Sequence, residues 1–192
     1  MRTDRLTAYT DAVFAIALTI LVLELKTPES TTWQSIWQIK STFISYVISF
    51  LILSVFWNNH HHLFQLVKRI NGQVLWANNL LIFTVSLLPW GAKFVENNLH
   101  KSVPETVYGT IYLFMSASYF NLYCVLGKAD PANKKLNKAV NRPMQITFNI
   151  ITMVTALVIG NIYCPPIIII TSLLLILTWI VPDRLIEKLY GV

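Results

Sequence analysis

Residues 143–182 read PMQITFNIITMVTALVIGNIYCPPIIIITSLLLILTWIVP, forty residues without one charged side chain. A helix crossing the hydrocarbon core of a bilayer needs about 20 mostly apolar residues, so this run is twice the length of one span. Cys164-Pro165-Pro166 divides it near the middle. Proline at a helix start forfeits little, because the amide it lacks has no intrahelical partner there. The stretch therefore reads as a membrane hairpin, one helix over 143–162, a tight turn, and a second helix over 167–182.

Four further apolar stretches precede the hairpin, over about 5–25, 41–66, 74–92 and 106–127. The first is apolar or hydroxyl-bearing from Ala12 to Leu23 and ends Glu24-Leu25-Lys26-Thr27-Pro28, with no small-residue cleavage site; it reads as a retained helix and not as a signal peptide. Composition agrees. Of 192 residues 55% are apolar and 12% charged, with a mean hydropathy of +0.55, against about a quarter charged in soluble domains. One soluble core of this size cannot hide so much apolar surface. The expected fold is an all-α integral membrane protein, a single unit over residues 1–192 with six transmembrane helices.

The net charge of +6 and pI near 9.4 are carried by loops, where they report orientation and not nucleic-acid binding. With the N-terminus inside, the inner segments hold Arg2, Arg5, Lys68, Arg69, Lys128, Lys134, Lys135, Lys138, Arg142, Arg184 and Lys188. The outer segments hold only Lys26, Lys40, Lys93 and Lys101. Both termini are expected in the cytoplasm. Trp76 and Trp179 then lie near inner helix ends and Trp90 near an outer one, while Trp33, Ile36 and Trp37 fit a short interfacial helix or a plain ordered loop. The loop 128–142 is the one substantial soluble stretch. Cys124 and Cys164 fall toward opposite sides, too far apart for a disulfide, and read as buried or interfacial.

Polar residues within spans carry the functional suspicion, since an acid at a helix centre costs roughly 3 kcal/mol on insertion scales. Asp11 lies in the inner part of the first helix, and Arg5, six positions earlier, is out of register to pair with it. A partner from another helix is expected. The second helix supplies candidates in Trp57-Asn58-Asn59-His60-His61-His62-Leu63-Phe64. Adjacent helical residues diverge by about 100°, so three consecutive histidines cannot face one metal, and no metal site is expected. One histidine, with Trp57 or Asn58, is expected to meet the Asp11 region.

The run Arg5-Leu6-Thr7-Ala8-Tyr9-Thr10-Asp11-Ala12-Val13-Phe14-Ala15-Ile16-Ala17 resembles the RxxxFSD signature that opens the transmembrane protein 175 family, potassium-permeable channels of prokaryotes and animal endolysosomes. Arg5 and Asp11 match outright; Tyr9 replaces Phe and Thr10 replaces Ser. The segment from Trp57 to Phe64 resembles the family's second-helix tryptophan and histidine pattern. Asn79 with Ser86-Leu87-Leu88-Pro89 resembles its third-helix pattern. The likeness covers the first three helices; the last three match in length, number and hydrophobicity.

The resemblance implies a pore lined by the first helices of four six-helix units. One signature in this chain implies a homotetramer in a prokaryotic cell membrane, conducting potassium ions without a cofactor. The family's constriction positions fall on Ile16, Ile20 and Leu23, and its threonine layer, linked to potassium preference, on Thr19. The signature residues Arg5, Tyr9, Thr10, Asp11, Trp57, Asn58, His60 and His61 are expected to form a structural polar network. Helix geometry is compatible. Ala12, Ile16, Thr19 and Leu23 recur at 4-3-4 spacing with Ile20 alongside, a stripe that also suits plain packing or lipid contact. No TVGYG-type filter occurs, so a carbonyl-lined filter is not expected. Glu24, one residue beyond Leu23, suits either a cation-concentrating ring or an interfacial snorkel.

Two other classes compete. An enzyme needs paired acids or a nucleophile with its base, and outside Asp11 and Glu24 no acid is expected within a span. A proton-coupled transporter using Asp11 and the second-helix histidines is the stronger rival. Transporters show internal repeats and broken helices; no repeat is visible, and Pro89 is the one candidate break.

Overall fold

A computed structural model describes residues 3–96, 98–140 and 144–179. Among them the chain forms eight helices and no strand: α1 (Thr3–Leu23), α2 (Trp33–Gln38), α3 (Lys40–Gln65), α4 (Gly72–Glu96), α5 (Ser102–Ala129), α6 (Lys134–Val140), α7 (Met144–Ile162) and α8 (Ile167–Leu177). Thr3–Leu23, Lys40–Gln65, Gly72–Glu96, Ser102–Ala129 and the segment Lys134–Ile162 are long and apolar enough to cross a membrane; Ile167–Leu177 is apolar but shorter. The sixth expected helix runs to 182. Its last residues, like Arg2, Arg142, Pro143, Arg184 and Lys188, lie outside the described residues.

Four boundaries shift. The first helix stops at Leu23, placing Glu24 and Lys26 beyond its end. The third runs from Gly72 to Glu96, straight through Pro89, so the one candidate break is an intact helix. The fourth starts at Ser102, one turn earlier than expected, which brings Glu105 inside it. The loop 128–142 is not simply soluble: α6 forms within it and buries Leu136 and Ala139. Asn133 accepts at Oδ1 from the Leu136 amide (3.2 Å) and donates through Nδ2 to the Leu66 carbonyl (2.8 Å), capping α6 and tying it to the end of α3.

Where the loop 31–40 was open between helix and coil, the one-and-a-half-turn α2 forms. The Thr32 hydroxyl accepts from the Ser35 amide, and Trp33 and Trp37 remain exposed. Both cysteines are free and exposed, which leaves the interfacial one of the two expected readings and not the buried one.

The core runs through α4 and α5, whose mutual packing is the most extensive in the molecule. Tyr108, Tyr112 and Tyr119 share one face of α5 and are fully buried. Phe56 of α3 meets Tyr112 and Tyr119 edge-on, at centroid distances of 6.2 and 5.7 Å, an arrangement aromatic quadrupoles favour. Ser49 and the Tyr108 hydroxyl bond at 3.0 Å, and the Ser45 hydroxyl donates to the Ala92 carbonyl at 3.0 Å. Close approach needs small residues where lipid supplies no hydrophobic drive between helices. Gly109 of α5 and Gly160 of α7 both lie against Ile168 of α8, with no room for a methyl at either site.

Candidate functional site

The first helix has two faces of different fate. Leu6, Thr10, Phe14, Ala17 and Leu21, at 4-4-3-4 spacing, are buried against α3 and α4. The opposite face is bare within the subunit: Ile16 is 59% exposed, Ile20 40% and Leu23 81%, and Thr19 lies among them. Ala15 and Val22, on the Asp11 side of the stripe, are exposed as well, so the bare face is broader than the 4-3-4 line alone. The Thr19 hydroxyl donates to the Ile16 carbonyl at 2.8 Å. That spends its proton inside the helix and leaves its oxygen lone pairs turned outward.

At the N-terminal end of α1 the signature residues separate into two links. In one, the Trp57 indole Nε1 donates to Asp11 Oδ1 at 2.9 Å. His61 stacks on Trp57 (5.6 Å) and bonds Gln65 through Nε2 (2.9 Å). In the other, three buried residues form a relay. His60 Nε2 meets Asn78 Oδ1 at 2.9 Å, Asn78 Nδ2 donates to Thr10 Oγ1 at 2.8 Å, and Thr10 donates onward to the Leu6 carbonyl at 2.9 Å. Because the Asn78 amide nitrogen is committed to Thr10, its oxygen is the acceptor and His60 Nε2–H the donor. His60 is further held by Phe64, stacked at 4.2 Å, and by Phe14 at 6.5 Å. The relay joins α3, α4 and α1 in a fully buried position, and within it only His60 Nδ1 is left without a partner.

Not every candidate joins these links. Arg5 and Tyr9 are exposed, and among the described residues neither they nor the half-buried Asn58 bond to Asp11. Asn78 is the residue missed by sequence reasoning, which had picked out its neighbour Asn79. Asn79 is exposed. The signal lay in the pattern, since Val74, Asn78, Leu81, Val85 and Leu88 make the buried stripe of α4 and Asn79 falls off it. Among the described residues no group of three His, Cys, Asp or Glu side chains is placed to hold a metal.

Just beyond the C-terminal end of α1, Glu24 forms an ion pair with Lys93 of α4, and Lys26 Nζ lies 3.3 Å from Glu96 Oε1. Two crossed pairs thus fasten the end of α1 to α4. Within the subunit, then, Glu24 is matched by a cation. Glu105, fully buried at the start of α5, accepts at Oε2 from the Ile169 amide (3.3 Å) in the first turn of α8. Helix starts welcome an anion, because their first amides are unpaired. The expectation of no further acid within a span therefore fails at Glu105, which here holds two helices together, and at the buried Glu96, the last residue of α4.

Fold and site together define an all-helical integral membrane protein with its polar signature at the foot of the first helix. Residues 5–89 match the family described as Endosomal/lysosomal potassium channel TMEM175. A potassium channel of Chryseobacterium sp. (strain P1-3) is 38% identical over 188 residues, 98% of this chain and 97% of that one. The Endosomal/lysosomal proton channel TMEM175 of Mus musculus is 32% identical over 91 residues, 45% of this chain and 18% of the mouse protein. In fold, the chain matches the crystal structure of a lysosomal potassium-selective channel TMEM175 homolog from Chamaesiphon minutus with a TM-score of 0.79, at 24% identity, over 93% of this chain and 96% of that one. The chain belongs to the TMEM175 family.

Proposed function

We propose that this protein is a passive, potassium-permeable cation channel made of four copies of the 192-residue chain around one axis. Both termini face the cytoplasm, and the assembly is a multi-pass protein of a prokaryotic cell membrane. The α1 helices line the pore, Ile16, Ile20 and Leu23 form its apolar constriction, and Thr19 offers oxygen ligands to passing ions. No cofactor takes part. The observation that carries this reading is the bare face of α1, apolar and hydroxyl-bearing, on a helix whose other face is packed against α3 and α4. A lone subunit cannot enclose a pore, whereas head-to-tail contacts close into rings. The Thr19 geometry supports its role, because a hydroxyl that has given its proton to its own helix presents only lone pairs to a cation. Narrow apolar rings resist wetting and set the barrier to conduction. Asp11, Thr10, Trp57, His60 and His61 serve structure, holding the inner end of α1 against α3 and α4.

The test is reconstitution into liposomes with a potassium gradient, reading the reversal potential with and without a pH difference. A reversal potential that follows potassium and ignores pH is the expected result. Flux that requires a proton gradient would overturn it in favour of coupled transport through Asp11 and the histidines. The mass of the assembly in nanodiscs, expected at four subunits, tests the stoichiometry separately.

A further inference from the structure

Between α3, α5, α7 and the end of α8 lies a small cavity, none of whose lining residues belongs to α1. Its wall is mainly apolar, with Val55, Phe56, Ile146 and Ile176, but polar side chains interrupt it: Asn59 from α3, Tyr112, Ser116 and Tyr119 from α5, Asn149 from α7, and Trp179 just beyond α8. Among the described residues six buried side-chain nitrogen or oxygen atoms have no hydrogen-bond partner, and three of them belong to this wall: Asn149 Oδ1, Trp179 Nε1 and the Tyr119 hydroxyl, the last with the Tyr123 ring beside its own at 5.0 Å. Tyr119 and Asn149 are each 2% exposed. Polar groups stranded in hydrocarbon are strongly unfavourable, so their convergence on one cavity points to an occupant that satisfies them together.

Size and chemistry select that occupant. The cavity offers about 10 Å³ of free volume, room for roughly one water-sized sphere and nothing larger. That excludes a lipid chain or any organic ligand. A dehydrated potassium ion is comparable in size, but the wall contains no carboxylate, and its unpartnered Trp179 N–H is a donor that offers a cation no ligand. Water meets every group. It donates to Asn149 Oδ1 and accepts from Trp179 Nε1–H, and the Tyr119 hydroxyl serves in either sense. We infer that this cavity is a binding site for a single water molecule that bridges α5, α7 and the end of α8. The site closes the inner end of the α7–α8 hairpin, beside the bond from Gln145 Nε2 to the Thr178 carbonyl (3.0 Å). It stands independently of whether the chain conducts ions.

The test is X-ray hydroxyl-radical footprinting of the full assembly in ¹⁸O-labelled water, in which a bound water marks the side chains beside it. Tyr108, equally buried but bonded to Ser49 and outside this wall, is the internal control. Tyr119 is expected to take up label several-fold faster than Tyr108, and Trp179→Phe to bring it down toward the Tyr108 rate. Equal, slow labelling of both tyrosines in the parent protein would overturn the proposal without any variant needing to fold. Thermal unfolding adds a second reading. Asn149→Leu is expected to destabilise the parent and to have a much smaller effect in a Trp179→Phe background. A rise in stability from Asn149→Leu alone would mark a dry hole and count against the water.

Discussion

Replacing Asn78 with leucine removes the centre of the relay between His60 and Thr10 and changes side-chain volume little. The structure sets the size of the effect. Thr10 keeps its bond to the Leu6 carbonyl and loses only an accepted one, whereas His60 Nε2–H is left with no acceptor in a fully buried position. An unsatisfied buried donor costs about 1–3 kcal/mol. The Asn78–Thr10 contact itself is worth about 0.6 kcal/mol, if it resembles the average interhelical polar contact in membranes. The sum centres on about 2.6 kcal/mol, roughly an eightyfold shift in the ratio of folded to unfolded protein. The assay is thermal unfolding in detergent, followed as loss of the oligomer peak in size-exclusion chromatography. Asn78→Leu should lower the midpoint clearly, and Asn79→Leu, one residue along on the exposed side, should leave it in place. Adding His60→Phe should recover much of the loss, because removing both partners of a buried bond is far milder than removing one. The aromatic contacts of His60 with Phe14 and Phe64 suit a phenyl ring at that position. An unchanged midpoint in Asn78→Leu, or no recovery in the double variant, would refute the relay as a structural element.

Three further outcomes are expected. Ile16→Asn should raise single-channel current by making the constriction easier to wet, and Thr19→Val should erode potassium preference with assembly intact; Val22→Asn should do neither. Lys93→Gln should leave Glu24 uncompensated and raise current most at low ionic strength, where surface charge is least screened, with the difference fading near 1 M salt. Gly109→Ala forces a methyl against Ile168 and Met153 and should cost about 1–3 kcal/mol of thermal stability, without a change in ion preference in the protein that remains assembled.

Much of this architecture is written in the chain as solvent preference. Forty uncharged residues divided by Pro165-Pro166 become α7 and α8 with the turn where expected, because the bilayer punishes charge at any depth and prolines mark helix starts. The histidine run was legible as well. Residues 100° apart must diverge, and His60 is wholly buried while His61 and His62 are only partly so. What stayed hidden depended on tertiary context. The helix α6 has only Leu136 and Ala139 to bury among its lysines, too few for a periodic signal. Glu105 looks like a loop acid until α8 supplies an amide across the fold. The choice between Asn78 and Asn79 turns on a rotation of one residue, which the buried stripe of α4 settles and a motif alone does not.

The termination of α1 at Leu23 has an electrostatic consequence for the proposed tetramer. An α-helix carries about half an elementary negative charge at its C-terminal end, from aligned peptide dipoles. Four α1 ends brought together at the outer entrance sum to roughly two negative charges, built from backbone and not from side chains. Such a field does not titrate, so the entrance keeps its attraction for cations in acid. It persists even though Lys93 balances Glu24, and no substitution that leaves the helix intact removes it.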